Sequence, residues 1–248
     1  MLSVLLRTEL QAWTKAGRRP RFWWRDDDAS RATAALRRLI RLAEIADIPL
    51  ALAVVPNLLA PTLREAIAPH RNVWVVQHGT DHQNVGSWRR PTQFCPAASV
   101  ENVAEAIYRG DRRLAGFERA APVYVPPWND LQPNVGEAIV RLGFRGVSCH
   151  GQLRSYPGLT RTDIHLDVMR WDEQPRFRGR MRCVARLIDL LRLRRRQRLW
   201  LEPIGLLTHH MDHDESAWTF LTWLLTWPAL RDSADWLSVE EVFSSNQR

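Results

Sequence analysis

Three short stretches of this 248-residue chain gather carboxylates and imidazoles. They are Arg25-Asp26-Asp27-Asp28-Ala29, His78-Gly79-Thr80-Asp81-His82 and Leu207-Thr208-His209-His210-Met211-Asp212-His213, and each follows an apolar, strand-like run. Such side chains at the carboxyl ends of several strands are how a barrel assembles a site for metal-assisted hydrolysis. His78 and His82 are four residues apart, a spacing that on a helical turn lets both imidazoles face one ion. Polar loop histidines are the plain alternative. Three consecutive carboxylates repel one another, and a cation relieves that repulsion. The alternative there is a solvated turn in which Asp28 or Ser30 caps the next helix. A histidine at a strand end titrates near neutral pH and suits a general acid. His209 is nearest the strand, and His213 is the runner-up.

These segments need elements to position them. Helical patterns are expected over 2–16, 31–46 (capped by Ser30), 63–68, 100–117 (capped by Ser99), 135–142, 181–195 and 216–227. Strand-like runs are expected at 21–25, 49–55, 73–76, 123–125, 145–149, 164–169 and 204–207, with a closing strand-turn near Trp236. Strands alternating with helices predict a parallel sheet with crossover helices. Seven or eight such units in one chain favour a barrel over an open sheet. Residues 1–248 read as a single domain, with 1–20 as an N-terminal helical extension.

Composition narrows the classes. Apolar residues make up 45% of the chain, enough for one sizeable core. No run approaches the roughly 20 apolar residues of a membrane helix. The short apolar start is followed at once by Arg7 and Glu9, unlike a secretory signal, so a cytoplasmic location is expected. Cys95, Cys149 and Cys183 lack CxxC spacing, which argues for free thiols and against a thiolate zinc site. The formal net charge is +8, and Lys15 is the one lysine, so arginine supplies nearly all the positive charge. Codon bias is the plain reading; attraction to an anionic partner is the functional one. No nucleic-acid-binding motif accompanies the charge, so no nucleic acid partner is expected. The basic run from Arg192 to Arg198 reads as a solvated helix end, with peripheral contact to an anionic lipid or phosphate as the alternative.

In order, Asp27-Asp28-Ala29, His78 to His82, Val125-Pro126-Pro127-Trp128 and Leu206-Leu207-Thr208-His209 resemble the motifs of the polysaccharide deacetylases (NodB homology, carbohydrate esterase family 4). The resemblance spans about 21–237, in motif order rather than close identity, and suggests a divergent branch. It implies a distorted (β/α)7-type barrel and an Asp-His-His metal triad of Asp28, His78 and His82. Asp27 would then be the general base and His209 the acid that protonates the leaving amine. Asp167 would orient that histidine, with His213 in support. The Trp128 backbone N–H would help hold the oxyanion. Trp128, Asn129 and Trp88 are expected to meet the substrate.

The chain departs from the pattern at three places. Ala29 stands for a glycine, Gly79 for a hydroxyl residue, and Val125 for an arginine that braces the catalytic aspartate. Arg25 is a candidate for that last role from another direction.

The reading is therefore a metal-dependent hydrolase removing an N-acetyl group from a sugar or glycoconjugate. Zinc suits the ligands best, with nickel, cobalt or iron also acceptable. A cytoplasmic, nucleotide- or lipid-linked, anionic precursor fits better than finished wall polymer. A non-catalytic glycan-binding barrel is the alternative, as is a related hydrolase of a glycosidic bond or a non-sugar amide.

Overall fold

The computed structural model describes residues 2–150 and 155–244. Its strands are β1 (Arg21–Ala29), β2 (Leu50–Val54), β3 (Val73–His78), β4 (Ala120–Val125), β5 (Gly146–Val147), β6 (Thr160–Arg161), β7 (Leu166–Asp167), β8 (Met169–Trp171), β9 (Pro175–Phe177), β10 (Ile204–Thr208) and β11 (Asp235–Trp236). The helices are α1 (Leu2–Lys15), α2 (Ala34–Ala46), α3 (Pro61–Ile67), α4 (Val100–Leu114), α5 (Pro133–Arg141), α6 (Arg180–Arg196), α7 (Glu215–Thr226), α8 (Pro228–Ser233) and α9 (Val239–Phe243).

The main sheet runs β6-β5-β4-β3-β2-β1-β10-β7, every pair parallel, with β11 also beside β1; β8 and β9 form a separate antiparallel hairpin. Among the described residues β6 and β7 do not pair, so this distorted (β/α)7-type barrel stays open along one seam. The cleft lies on the same side, lined in part by Ile164 to Asp167.

Two apolar layers explain the arrangement. Alternate residues of β1 point to opposite faces. Phe22 and Trp24 join the large core between the sheet and α1, α2, α6 and α7. Trp23 instead faces the barrel interior with Ala51, Ala53, Val76, Val123 and Leu207. The two adjacent tryptophans are thus separated onto opposite faces, and neither lines the cleft. Phe243 of α9 packs edge-on to Trp23 at 5.8 Å and plugs the end of the barrel where the strands begin. The other end, where the strands finish, is left to carry the site.

Several boundaries differ from expectation. Thr33, not Ser30, caps α2, its Oγ1 accepting the Leu36 N–H at 3.0 Å. Strand β1 does not stop at Arg25; pairing to β10 and β2 carries it through all three aspartates. The expected strands at 145–149 and 164–169 shrink to Gly146–Val147 and Leu166–Asp167, the latter on the open seam with one partner, and Met169 opens β8 instead. The run from Arg192 is not simply solvated. Arg192 and Arg195 pair with Glu9, buried on α1, and Arg194 pairs with Glu202. No helix among the described residues is long and apolar enough to cross a membrane.

Candidate metal centre and active site

The three aspartates of β1 each meet different basic side chains, and strand geometry is the reason. Asp26 faces outward and is fully buried; its Oδ1 lies 2.5 Å from His210 Nδ1, and its Oδ2 accepts the Thr208 hydroxyl at 2.6 Å. Burial alone would raise the Asp26 carboxyl, but the His210 charge and hydrogen bond outweigh it and lower it. His210 is therefore a structural partner rather than a cleft residue.

Asp27 faces inward, 2% exposed, against Arg25 at 0%. Arg25 Nη2 donates to Asp27 Oδ2 at 2.8 Å, and Nε lies 2.7 Å from Oδ1 as an ion contact without hydrogen-bond alignment. The same guanidinium donates to the Ser148 hydroxyl (2.7 Å), the Ser148 carbonyl (3.1 Å) and Asn129 Oδ1 (2.8 Å). Asn129 thus supports the arginine while also lining the cleft.

Strict alternation would turn Asp28 away from Asp27. Instead the β1–β2 register shifts between Asp26 and Ala29, and Asp28 takes φ 68°. This bulge turns both carboxylates towards one cleft, a use to which bulges near sites are often put. Asp28 Oδ1 sits 3.2 Å from His78 Nε2 and 3.4 Å from His82 Nε2. Burial pushes its carboxyl up, but His78 and His82 outweigh that and hold it well below the usual range.

The two histidines do not share a helical turn. His78 ends β3, while His82 reaches the same point from a loop, through left-handed backbone at Gly79 (φ 53°) and His82 (φ 57°). The buried Gln77 amide donates to the Gly79 carbonyl at 2.9 Å, and the Thr80 N–H donates to Gln93 Oε1 at 2.9 Å. Gly79 is demanded by space as well as by φ. An added Cβ would sit 2.2 Å from Gln93 Oε1 and 2.5 Å from Pro127 Cγ. Gly79→Ser, which puts back the hydroxyl residue of the related motif, should destabilise the fold by about 1–3 kcal/mol, read in a urea melt. An unchanged midpoint would contradict this packing account.

The trio suits a divalent ion. His78 Nδ1 faces the Val125 carbonyl at 3.0 Å and so carries a proton, which makes Nε2, the nitrogen turned to Asp28, the one that would ligate an ion, the usual way a ligating imidazole is oriented. Asp28, His78 and His82 offer ligand atoms all within 4.8 Å of one another. Donor separations of 3.2–3.4 Å match the edges of a tetrahedron whose donors lie about 2.0–2.1 Å from a zinc ion.

His209 closes the cleft at the end of β10. Its Nε2 lies 4.0 Å from Asp27 Oδ2, and its ring meets Trp171 edge-on at 4.4 Å. Asp167 does not reach it by hydrogen bond. The Asp167 oxygens instead accept the Met169 N–H (2.8 Å) and Trp171 Nε1–H (2.7 Å), so Asp167 positions Trp171, which in turn packs on His209. His213 lies behind, its ring against Trp218 at 4.7 Å, where burial pushes the imidazole down to about 4. Its Nε2 accepts the His209 N–H at 3.4 Å, a supporting contact only.

Trp128, with φ 54°, packs at 4.5 Å on His82 and lines the cleft. Trp88 is 81% exposed and lies outside it, stacked under Arg89. The open space measures ≈ 630 Å³. Sequence reasoning missed Ser148, Trp171, His165 and the arginines Arg178, Arg182 and Arg186 on the far wall. Nothing local in the sequence marks them, since only folding brings the β5 end, the β8–β9 hairpin and α6 to the mouth.

His165 offers a pH test. Its ring nitrogens face the Gly205 N–H (3.0 Å) and the Arg194 guanidinium (2.8 Å). Burial, then the Arg194 charge, pushes it from 6.5 down to about 4. The unfolded chain therefore binds a proton the folded one refuses, so this contribution is intact above pH 6.5 and is lost as pH falls towards 4. The expected loss is roughly 3 kcal/mol. His165→Gln should flatten that part of the stability profile, and an identical slope in wild type and variant would refute the assignment.

No protein-family model matches the sequence, and no curated protein matches it. Solved structures do. A polysaccharide deacetylase candidate from Mycobacterium smegmatis superposes with TM-score 0.62 at 16% identity, covering 84% of this chain and 75% of its own. A family 4 acetyl xylan esterase from Clostridium thermocellum, bound to a cobalt ion, gives 0.58 at 12%, covering 92% and 96%. A family 4 pseudoenzyme from Bacillus anthracis gives 0.56 at 12%, covering 92% and 66%. The chain shares the fold of these proteins at a large distance in sequence.

Proposed function

We propose that this chain, built on the polysaccharide deacetylase fold, is a metal-dependent hydrolase that removes an N-acetyl group from a sugar or glycoconjugate. One observation carries the reading: Asp28, His78 and His82 converge beside a second carboxylate, Asp27, that has its own counter-ion. Asp28, His78 and His82 would hold the ion; zinc suits two imidazoles and a carboxylate, and nickel, cobalt or iron is also compatible. When bound, such an ion lowers the pKa of a water and polarises the acyl oxygen.

The remaining roles belong to the protein. Asp27 takes the proton of the attacking water on its carboxylate, which Arg25 holds in place. The water oxygen adds to the acetamide carbonyl carbon, and the Trp128 backbone N–H helps hold the oxyanion. His209 gives a proton to the amine nitrogen as the C–N bond breaks, leaving acetate and a free amine. Trp128 and Trp171 flank the metal trio and His209, and suit stacking on a sugar ring.

Val125, where the related motif has an arginine, is the feature that would favour the non-catalytic reading. Arg25 supplies a guanidinium to the same kind of carboxylate, which favours catalysis. The test is elemental analysis combined with a product screen on acetamido sugars. One divalent ion per chain and release of acetate with a new amine are expected, abolished by chelation and restored by zinc. A new reducing end would indicate glycosidic cleavage. Sugar binding without turnover in the metal-replete protein would overturn the hydrolase reading.

A further inference from the structure

We propose that the substrate is an acylated amino sugar carrying a phosphate, held by an arginine wall of Arg178, Arg182 and Arg186; this rests on the hydrolase reading above. All three line the cleft that holds Asp28, His78 and His82. Arg182 and Arg186 stand four residues apart on α6 and so share one side of it. Cys183, Val184, Leu187 and Ile188 anchor another side in the core. Arg178 precedes the helix across Gly179.

The wall keeps its charge. Arg178 is fixed by two carbonyls, Nε to Asp167 at 2.8 Å and Nη2 to Met169 at 2.9 Å. Arg186 donates from Nε to the His165 carbonyl at 3.3 Å. Carbonyls orient a guanidinium without neutralising it. Among the described residues no carboxylate forms an ion pair with any of the three, whereas Arg192, Arg194 and Arg195 at the other end of the same helix are all paired. The first turn of α6 also contains no acidic residue. One helix thus pairs three of its distant arginines with carboxylates and leaves Arg182 and Arg186, at the cleft, without one.

Like charges spaced four apart on a helix repel. A doubly charged phosphate relieves that repulsion, and guanidinium forks match its oxygens. A neutral glycan offers this wall hydroxyl acceptors but no charge to offset the repulsion. The ≈ 630 Å³ space is also the size of a small-molecule site.

The experiment compares N-acetylglucosamine, N-acetylglucosamine 1-phosphate, a nucleotide-linked N-acetylglucosamine and N-acetylmuramic acid, on wild type and on Arg182→Ala/Arg186→Ala. The phosphorylated sugars should be preferred over the neutral one by about a hundredfold or more in kcat/KM, and about tenfold of that should vanish per guanidinium removed. The preference should also shrink as salt rises. Calorimetry of N-acetylglucosamine 1-phosphate on metal-free protein reads the wall apart from turnover, and thermal melts check that the variant folds. Equal use of neutral and phosphorylated sugars, or a preference untouched by the double substitution, would overturn the proposal. Preference for the carboxylate of N-acetylmuramic acid would overturn the phosphate assignment. Turnover of none of the four, with phosphate-dependent binding intact, would instead count against the hydrolase reading.

Discussion

Asp27→Asn should lower acetate release by about 10²–10⁴-fold, the usual contribution of a positioned general base. The substitution keeps the shape and removes the ability to accept a proton. Asp28, His78 and His82 are untouched, so the metal content of the variant should match wild type. That pairing of outcomes separates the two neighbouring aspartates. Asp28→Asn should instead lose metal, because it removes the charge that sits 3.2 Å from His78 and 3.4 Å from His82. An Asp27→Asn enzyme with full activity on every responsive substrate would end the proposed mechanism.

Arg25→Met should be the most damaging single change to stability. The arginine is 0% exposed and shares its guanidinium among Asp27, Ser148 and Asn129. Methionine fills some of the volume but leaves the Asp27 carboxylate buried without a partner, a situation that typically costs 3–5 kcal/mol. Urea unfolding of the metal-free protein measures this without help from a bound cation. Activity should fall together with stability, since Asp27 would no longer be held. Arg25→Lys keeps the charge but cannot form the forked contact, so it should lie between the two. A methionine variant that melts with wild type would mean the pair is not what holds this end of β1.

Much of this site was legible in the chain order. A carboxylate triplet, a histidine pair and a histidine cluster each stood at the end of an apolar run, and the structure brings Asp27, Asp28, His78, His82 and His209 to one cleft. Alternation also separated Trp23 from Trp24. Side-chain type and the two-residue period of a strand are local properties, and the sequence carries them openly.

Geometry that breaks a period was not legible. Helical spacing suggested how His78 and His82 could meet, but they meet through left-handed turns at Gly79 and His82. Asp27 and Asp28 should face opposite ways on a regular strand, and only the bulge turns both inward. Which carboxylate met which basic side chain was equally hidden. Asp26 took His210 from the turn just beyond β10 and Asp27 took Arg25 from its own strand, each choice set by the face on which a residue landed. The arginines of the far wall carried no mark in the sequence, because a helix segment does not announce what lies across from it. The residues alone named the chemistry and the strands that carry it. Packing those strands into an open barrel decided which charges would be paired away and which would face the substrate, since pairing depends on distances between residues far apart in the chain.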